Sequence, residues 1–257
     1  MEIIAQYLQL PGRCIANSRI TKAFFKRNFD LTLTERAMLD NPEIIKSINW
    51  LARINTQNAN ISLFNNSGTV VEEIQVITAE IGNADFSMAA LKVAEFIQKH
   101  IPYHILLIIY HSESFFIHTC NKLINQNDSN KRVIEKRFFT QEIPFSGAND
   151  NQIAFLKSLT FAHLDKTNLK TFYDGYSERI INFQASGFTG VFEPRPQYRT
   201  RQDLLNMERL EALKKEVTDL QNKARKELQL KELLKLNTQL YTTRKEIERL
   251  IALIEHL

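Results

Sequence analysis

Cysteine occurs only twice in the 257 residues, at Cys14 and Cys120. Two cysteines exclude a disulfide framework and leave no Cys-x-x-Cys pair for a structural zinc site. The N-terminus lacks the basic, apolar and small-residue order of a secretory signal, so a reducing, cytoplasmic setting is expected. Long apolar runs are missing as well. The longest, Ile105 to Tyr110, is far short of the roughly 20 residues that cross a bilayer, and no membrane span is expected. Glycine is scarce, with seven residues, which argues against a loop-rich scaffold. No Gly-rich phosphate loop, nucleophile elbow or His-Glu-x-x-His pair appears. Gly187-Phe-Thr-Gly190 is too short to cradle phosphates and reads as a helix stop.

What is present is ordinary for a globular protein, 44% hydrophobic and 24% charged residues, with phenylalanine unusually frequent at 17. Residues 1 to 193 are balanced, with 19 Lys and Arg against 19 Asp and Glu, whereas residues 194 to 257 carry 14 against 10. The whole net charge of +4 therefore lies in the tail. Such an excess is compatible with nucleic-acid contact, but a solvated helix surface is the commoner source.

Along the chain, residues 1 to 58 read as helical. Thr34 is placed as an N-cap before Glu35, and Asn41-Pro42 opens a helix over 43 to 56 with Ile44, Ile45, Ile48, Leu51 and Ile54 at helical spacing. Two strands are expected at 60 to 64 and 69 to 81, joined by Asn65-Asn66-Ser67-Gly68, the second with the mixed pattern of a central strand. Asp85 or Ser87 caps a helix to about His100, its apolar side made by Met88, Leu91, Phe96 and Ile97, and Pro102 ends it. Strands follow at 103 to 110, 115 to 120 and 132 to 140, then helices at 151 to 163 and 168 to 185. The fold class is α+β: a mixed, mostly antiparallel sheet flanked by helices, with a long C-terminal amphipathic, coiled-coil-like helical tail.

The expected domains are a globular part over 1 to 193, a Pro/Arg linker over 194 to 201 and a helical tail over 202 to 257. Glu193-Pro-Arg-Pro marks the boundary, because two prolines stiffen it and no apolar period crosses it. Beyond it, Leu210, Leu213, Val217, Leu220 and Ala224 step by three and four, as do Leu230, Leu233, Asn237, Leu240, Arg244, Ile247, Ile251 and Ile254. The two stripes are out of phase across 224 to 230, which means a stammer in one long helix or a turn between antiparallel helices. With no Gly or Pro there, a continuous or bent helix is favoured, and Asn237 is placed in its seam.

Several short pieces resemble the bacterial family called domain of unknown function 4391. They are Leu10-Pro11 with Ile20-Thr-Lys-Ala-Phe-Phe25, Ile48-Asn-Trp-Leu51, Glu73-Ile-Gln-Val76, His100-Ile-Pro-Tyr-His-Ile-Leu106, Lys226-Glu-Leu-Gln229 and Leu236-Asn237. The resemblance implies an accessory component found beside helicases and DNA methyltransferases in restriction-like or phage-defence gene clusters. It brings no catalytic residues with it. Where relatives tend to carry an acidic residue and a lysine, this chain reads Ala79-Glu80-Ile81-Gly82, which weighs against lysine-dependent chemistry at that place.

Four of the six histidines and Cys120 fall between His100 and Cys120, in a run otherwise of Ile, Leu, Phe and Tyr. A buried strand pair is preferred there over a metal site or a nucleophilic cysteine. For chemistry, Glu73 and Glu80 are the catalytic candidates and, with Asp85, the metal candidates of a nuclease in which carboxylates on adjacent strands hold a divalent ion. No cofactor is expected otherwise. Arg195, Tyr198, Arg199 and Arg201 interleave guanidinium and aromatic groups, and Lys22, Lys26 and Arg27 stand beside Phe24 and Phe25; both groups are candidate contacts to DNA or RNA. For the linker arginines, plain solvation is preferred. The expected function is an accessory interaction subunit without catalysis. Its tail residues Leu210, Leu213, Val217, Leu220, Leu233, Leu240, Ile247 and Ile251 would bind a helicase or methyltransferase partner, or a second copy. A metal-dependent nuclease, or a degenerate one retained for binding, is the alternative.

Overall fold

The computed structural model describes residues 2–125 and 132–255, so the outer limits expected at 1 and 257 lie outside the described residues. The chain divides into two compact units, Met1–Ile180 and Ile181–Leu257. The first contains α1 (Glu2–Leu8), β1 (Ile15–Arg19), α2 (Lys22–Asn28), α3 (Leu33–Asp40), β2 (Ser47–Asn55), α4 (Thr56–Ala59), β3 (Phe64–Asn65), β4 (Val70–Val71) and β5 (Glu73–Glu80). It continues with α5 (Phe86–His100), β6 (His104–Tyr110), β7 (Ser114–Ile124), β8 (Arg132–Phe139), β9 (Ile143–Pro144), α6 (Asp150–Ser158) and most of α7 (Leu169–Thr189).

The main sheet runs β1-β2-β5-β6-β7-β8, with β9 paired to β7. Every neighbour is antiparallel except β5 and β6, which are parallel and joined by α5 as a βαβ unit. The expected mixed, mostly antiparallel sheet with flanking helices is what forms. β5 is the central strand, with Ile74 to Ala79 all buried.

The largest departure is at 43 to 56, where a strand replaces the expected helix. Trp50 pairs with Ile77 and Ala52 with Val76, so Leu51 is the extra residue of a bulge. Ile48 and Trp50 thus share a face with Ile77 and Ala79, while Ala52 and Ile54 turn to the opposite face. A strand whose apolar face switches midway reads as spacing by three, which imitates a helix. The same region yields two further corrections: the cap is Thr32, boxed with Glu35, rather than Thr34, and β1 occupies part of the expected helical stretch. The hairpin at Asn66-Ser67-Gly68 joins only the two-residue strands β3 and β4, and β5 begins afresh at Glu73.

α5 starts on its Asp85 cap and lays Ala89, Ala90, Val93, Ala94, Phe96 and Ile97 on the face carrying Ile77, Ala79, Ile105, Leu107 and Ile109. Met88 and Leu91, expected on that apolar side, are exposed instead, since small alanines let the helix approach the sheet one turn-face over. β6 and β7 pair from Leu107/His118 to Tyr110/Phe115 and then diverge. The Tyr173 hydroxyl fills that gap, accepting from Cys120 N–H at 3.0 Å and lying 3.0 Å from the Ile105 carbonyl. Backbone groups that would otherwise be orphaned are thereby satisfied.

The second unit holds the end of α7, then α8 (Gln197–Ala224) and α9 (Leu230–Glu255). α8 and α9 are an antiparallel hairpin, Arg209 pairing with Glu246 at 3.0 Å, and not the single bent helix favoured from the sequence. Residues 225 to 229 make the turn without Gly or Pro. Asn237 is exposed rather than in the seam; Leu240, Thr243 and Ile254 are the buried positions of α9, and Leu210, Leu213 and Leu220 are buried on α8. The expected linker 194–201 is helical from Gln197 onwards. Among the described residues no helix is long and apolar enough to cross a membrane.

Candidate functional site at the carboxyl ends of the central strands

The parallel pair β5 and β6 ends at Glu80 and Tyr110, and α5 starts just beyond Glu80. A crevice at the carboxyl ends of parallel strands is where open sheets bind ligands. Here a cavity of about 560 Å³ is lined by Glu43, Lys46, Glu80, Asn83, Tyr110 and His111, among others. Lys46 Nζ lies 2.6 Å from Glu80 Oε1, and Ser47 Oγ donates to Glu80 Oε2 at 3.0 Å. The Tyr110 hydroxyl is pushed above its ordinary pKa by burial and by the charge of Glu80. Lys46 is held above its ordinary value by its hydrogen bond to Glu80.

Gly82 explains the missing lysine. A Cβ there would stand 2.4 Å from the Pro42 carbonyl oxygen and 2.7 Å from Glu43 Cα, so no side chain fits without moving that backbone. Close packing of two segments requires the glycine, and Lys46 brings an ammonium group to the cavity from the other direction. Neither Lys46 nor Glu43 stood out in the sequence, because their relation to Glu80 depends on the pairing of Ser47 with Glu80 across β2 and β5.

The three acidic candidates do not converge. Glu73 and Glu80 begin and end β5, about 23 Å apart at the usual rise of an extended strand. Glu73 instead accepts from Gln75 Nε2 at 2.8 Å, and Asp85 is spent capping α5. Among the described residues no three His, Cys, Asp or Glu side chains cluster as a metal site. The donor set first considered therefore does not fit one divalent ion.

At the edge of the cavity, His111, Ser114 and Glu142 resemble a nucleophilic array, but the protons run the wrong way. His111 Nδ1 accepts from the Glu113 N–H at 3.1 Å, which leaves the proton on Nε2, 3.0 Å from Ser114 Oγ. The Ser114 hydroxyl is then directed at Glu142, so the histidine donates to the serine and cannot take its proton. Ser114 is also buried.

The His100 to Cys120 run is core, as preferred. Cys120 is fully buried, its thiol raised by burial and donating to Gln98 Oε1 at 3.1 Å. His118, 2% exposed, sits 3.2 Å from Gln98 Nε2, and burial drives its pKa down to about 3. A neutral imidazole beside a protonated thiol is no nucleophile. His100 and His104 lie on either side of Pro102, one ending α5 against Glu35 at 3.0 Å and the other opening β6 against Tyr173. Lys122 is fully buried and holds the turn between α5 and β6 by donating to the carbonyls of Ile101 and Tyr103, both at 2.7 Å; burial lowers its pKa to about 8.

The basic candidates separate into two kinds. Arg195 pairs with the fully buried Asp203 and donates to the Ile254 carbonyl at 3.2 Å. Arg199 donates to Leu253 O at 2.6 Å, and its Nε stands 3.1 Å from Asp203 Oδ1, near enough for an ion pair but not aligned as a hydrogen bond. These arginines close the hairpin by capping the last carbonyls of α9, while Tyr198 and Arg201 are exposed. Lys26 is paired with Asp40 at 2.7 Å and Arg27 is exposed. Lys22 joins Arg19 and Lys46 around a second cavity of about 230 Å³. Of the tail candidates, Leu210, Leu213, Leu220 and Leu240 are buried within the hairpin, and Val217, Leu233, Ile247 and Ile251 are half-buried.

The molecule is an α+β protein with a polar crevice at the carboxyl ends of the parallel strands β5 and β6 and a helical hairpin within its second unit. The chain belongs to the family named domain of unknown function (DUF4391), whose profile matches residues 8–247. No curated protein and no solved structure matches the chain.

Proposed function

We propose that the protein is an accessory interaction subunit of an assembly acting on nucleic acid, of the restriction-like or phage-defence kind that the family resemblance implies. On this reading it works in the cytoplasm, and the hairpin mediates association with a helicase or methyltransferase component or with a second copy. The observation that carries it lies on α9. The seam of the hairpin is satisfied internally, yet Leu230, Leu234 and Tyr241, four and seven residues apart and so on one helix face, are 71%, 59% and 64% exposed, with Leu228 in the adjoining turn 97% exposed. An apolar strip of this kind is what helix-mediated recognition uses. Replacing Leu230, Leu234 and Tyr241 together by glutamate is expected to abolish co-purification with the native operon partners, or to halve the solution mass if the partner is a second copy. Unchanged mass together with unchanged partners would sink the proposal.

A second reading is favoured by the crevice. Glu43 and Glu80 both line it beside Lys46, and two carboxylates with substrate phosphate oxygens are enough to hold Mg²⁺. Metal-dependent cleavage of DNA or RNA is then expected from the purified protein, falling at least a hundredfold in Glu80→Gln. Cleavage that survives this substitution, or is absent in both proteins, rejects it.

A further inference from the structure

The geometry points to a binding site for one strand of nucleic acid across the ends of β1, β2, β5 and β6, with its phosphates at Arg19, Lys22 and Lys46. Three cavities adjoin there. The first, lined by Arg19, Lys22 and Lys46, contains no acidic residue. Lys46 is also on the wall of the second, the crevice of about 560 Å³. Tyr110 belongs to that crevice and to a third cavity of about 220 Å³ lined by Asn17, Asn49 and Thr78. The residues come together because β1 and β2 pair at Arg19/Asn49, β2 and β5 at Ser47/Glu80, and β5 and β6 at Glu80/Tyr110, all at the same end of the sheet.

The chemistry is graded along this track. Arg19 and Lys22 have no carboxylate partner among the described residues, and Lys46 shares its charge with Glu80. Two uncompensated cations and half of a third attract phosphate, the sequence-independent part of nucleic-acid affinity. Further along, the Glu80 carboxylate repels phosphate, and Glu80 with the amides of Asn83, Asn49 and Asn17 offers acceptors and donors that suit base edges. The exocyclic amines of cytosine and adenine donate to carboxylates and amide oxygens of this kind. A free nucleotide would occupy one cavity; three adjoining cavities that grade from cationic to amide-lined suit a strand that crosses them all. Tyr110 at the junction offers an aromatic face to a base.

This inference rests on the nucleic-acid part of the proposed function and is independent of the hairpin, because it is read on the purified chain alone. A labelled single-stranded 12-mer is titrated with the full-length protein by fluorescence anisotropy between 50 and 200 mM salt, with EDTA to suppress metal chemistry. In Arg19→Gln/Lys22→Gln the slope of log affinity against log salt is expected to shrink by about 1.4, roughly 0.7 for each lost phosphate contact. The charge-preserving pair Arg19→Lys/Lys22→Arg retains the wild-type slope, as does the hairpin pair Lys223→Gln/Lys226→Gln. A mononucleotide at the same concentration does not displace the oligonucleotide. The inference is overturned by an unchanged slope in the first variant, by displacement with mononucleotide, or by no binding at all.

Discussion

Lowering the pH from 6 to 4 is expected to cost the first unit on the order of 5 kcal/mol through two histidines alone. His104 and His118 are each 2% exposed, and burial first, then the nearby Lys122, holds both near a pKa of about 3. Lys170 and Arg132 add to the effect at His104, and Arg137 at His118. The sign follows from the unfolded chain, where histidine takes its proton near 6.5. Between about 6.5 and 3 the unfolded state therefore binds more protons than the folded one. Stability is complete above this window and falls by about 1.4 kcal/mol per pH unit for each histidine as the pH drops through it. Trp50, the single tryptophan, belongs to the first unit and reports its unfolding by fluorescence. Urea midpoints of the wild type should fall between pH 6 and 4 much more steeply than those of His104→Phe/His118→Leu. Titrating carboxylates act equally on both proteins, so parallel curves would show that these histidines are not held neutral.

Asp203→Ala should open the hairpin. Asp203 is fully buried against Arg195, which is itself 9% exposed, and removing one partner of a buried pair typically costs about 3–5 kcal/mol. The loss extends further here, because the same arginines hold the carbonyls of Leu253 and Ile254 at the end of α9. Arg195→Met/Asp203→Leu, which removes both charges, should be more stable than Asp203→Ala. Amide hydrogen exchange over 197–255 provides the measurement. Unchanged protection in Asp203→Ala would mean the ion pair does not hold the second unit together, whereas the first unit should be unaffected in either variant.

These two cases also mark where the sequence was legible. Strands β6 to β8 and helix α5 were readable because their caps, proline stop and apolar runs are local signals that burial reinforces. β2 was misread because its bulge at Leu51 turns period two into apparent period three, and the bulge exists only in the pairing with β5. The linker was misread for a related reason. Arg195 and Arg199 look like solvated charge until the end of α9, more than 50 residues away in the chain, is brought against them beside the nearby Asp203.

By itself the sequence determined an ordinary globular composition, an α+β order of elements, the absence of a long apolar run, and amphipathic stripes in the tail that had to be covered. Each follows from residue type and spacing over one or two turns or one strand. Only the tertiary structure decided that the tail folds back on itself, that β2 pairs with β5 through a bulge, and that Lys46 rather than residue 82 faces Glu80. These depend on strand register and helix contact, which bring together residues about 30 to 60 positions apart in the chain. Spacing along the sequence carries no record of such distances, because packing free energy is gained only when the distant surfaces meet.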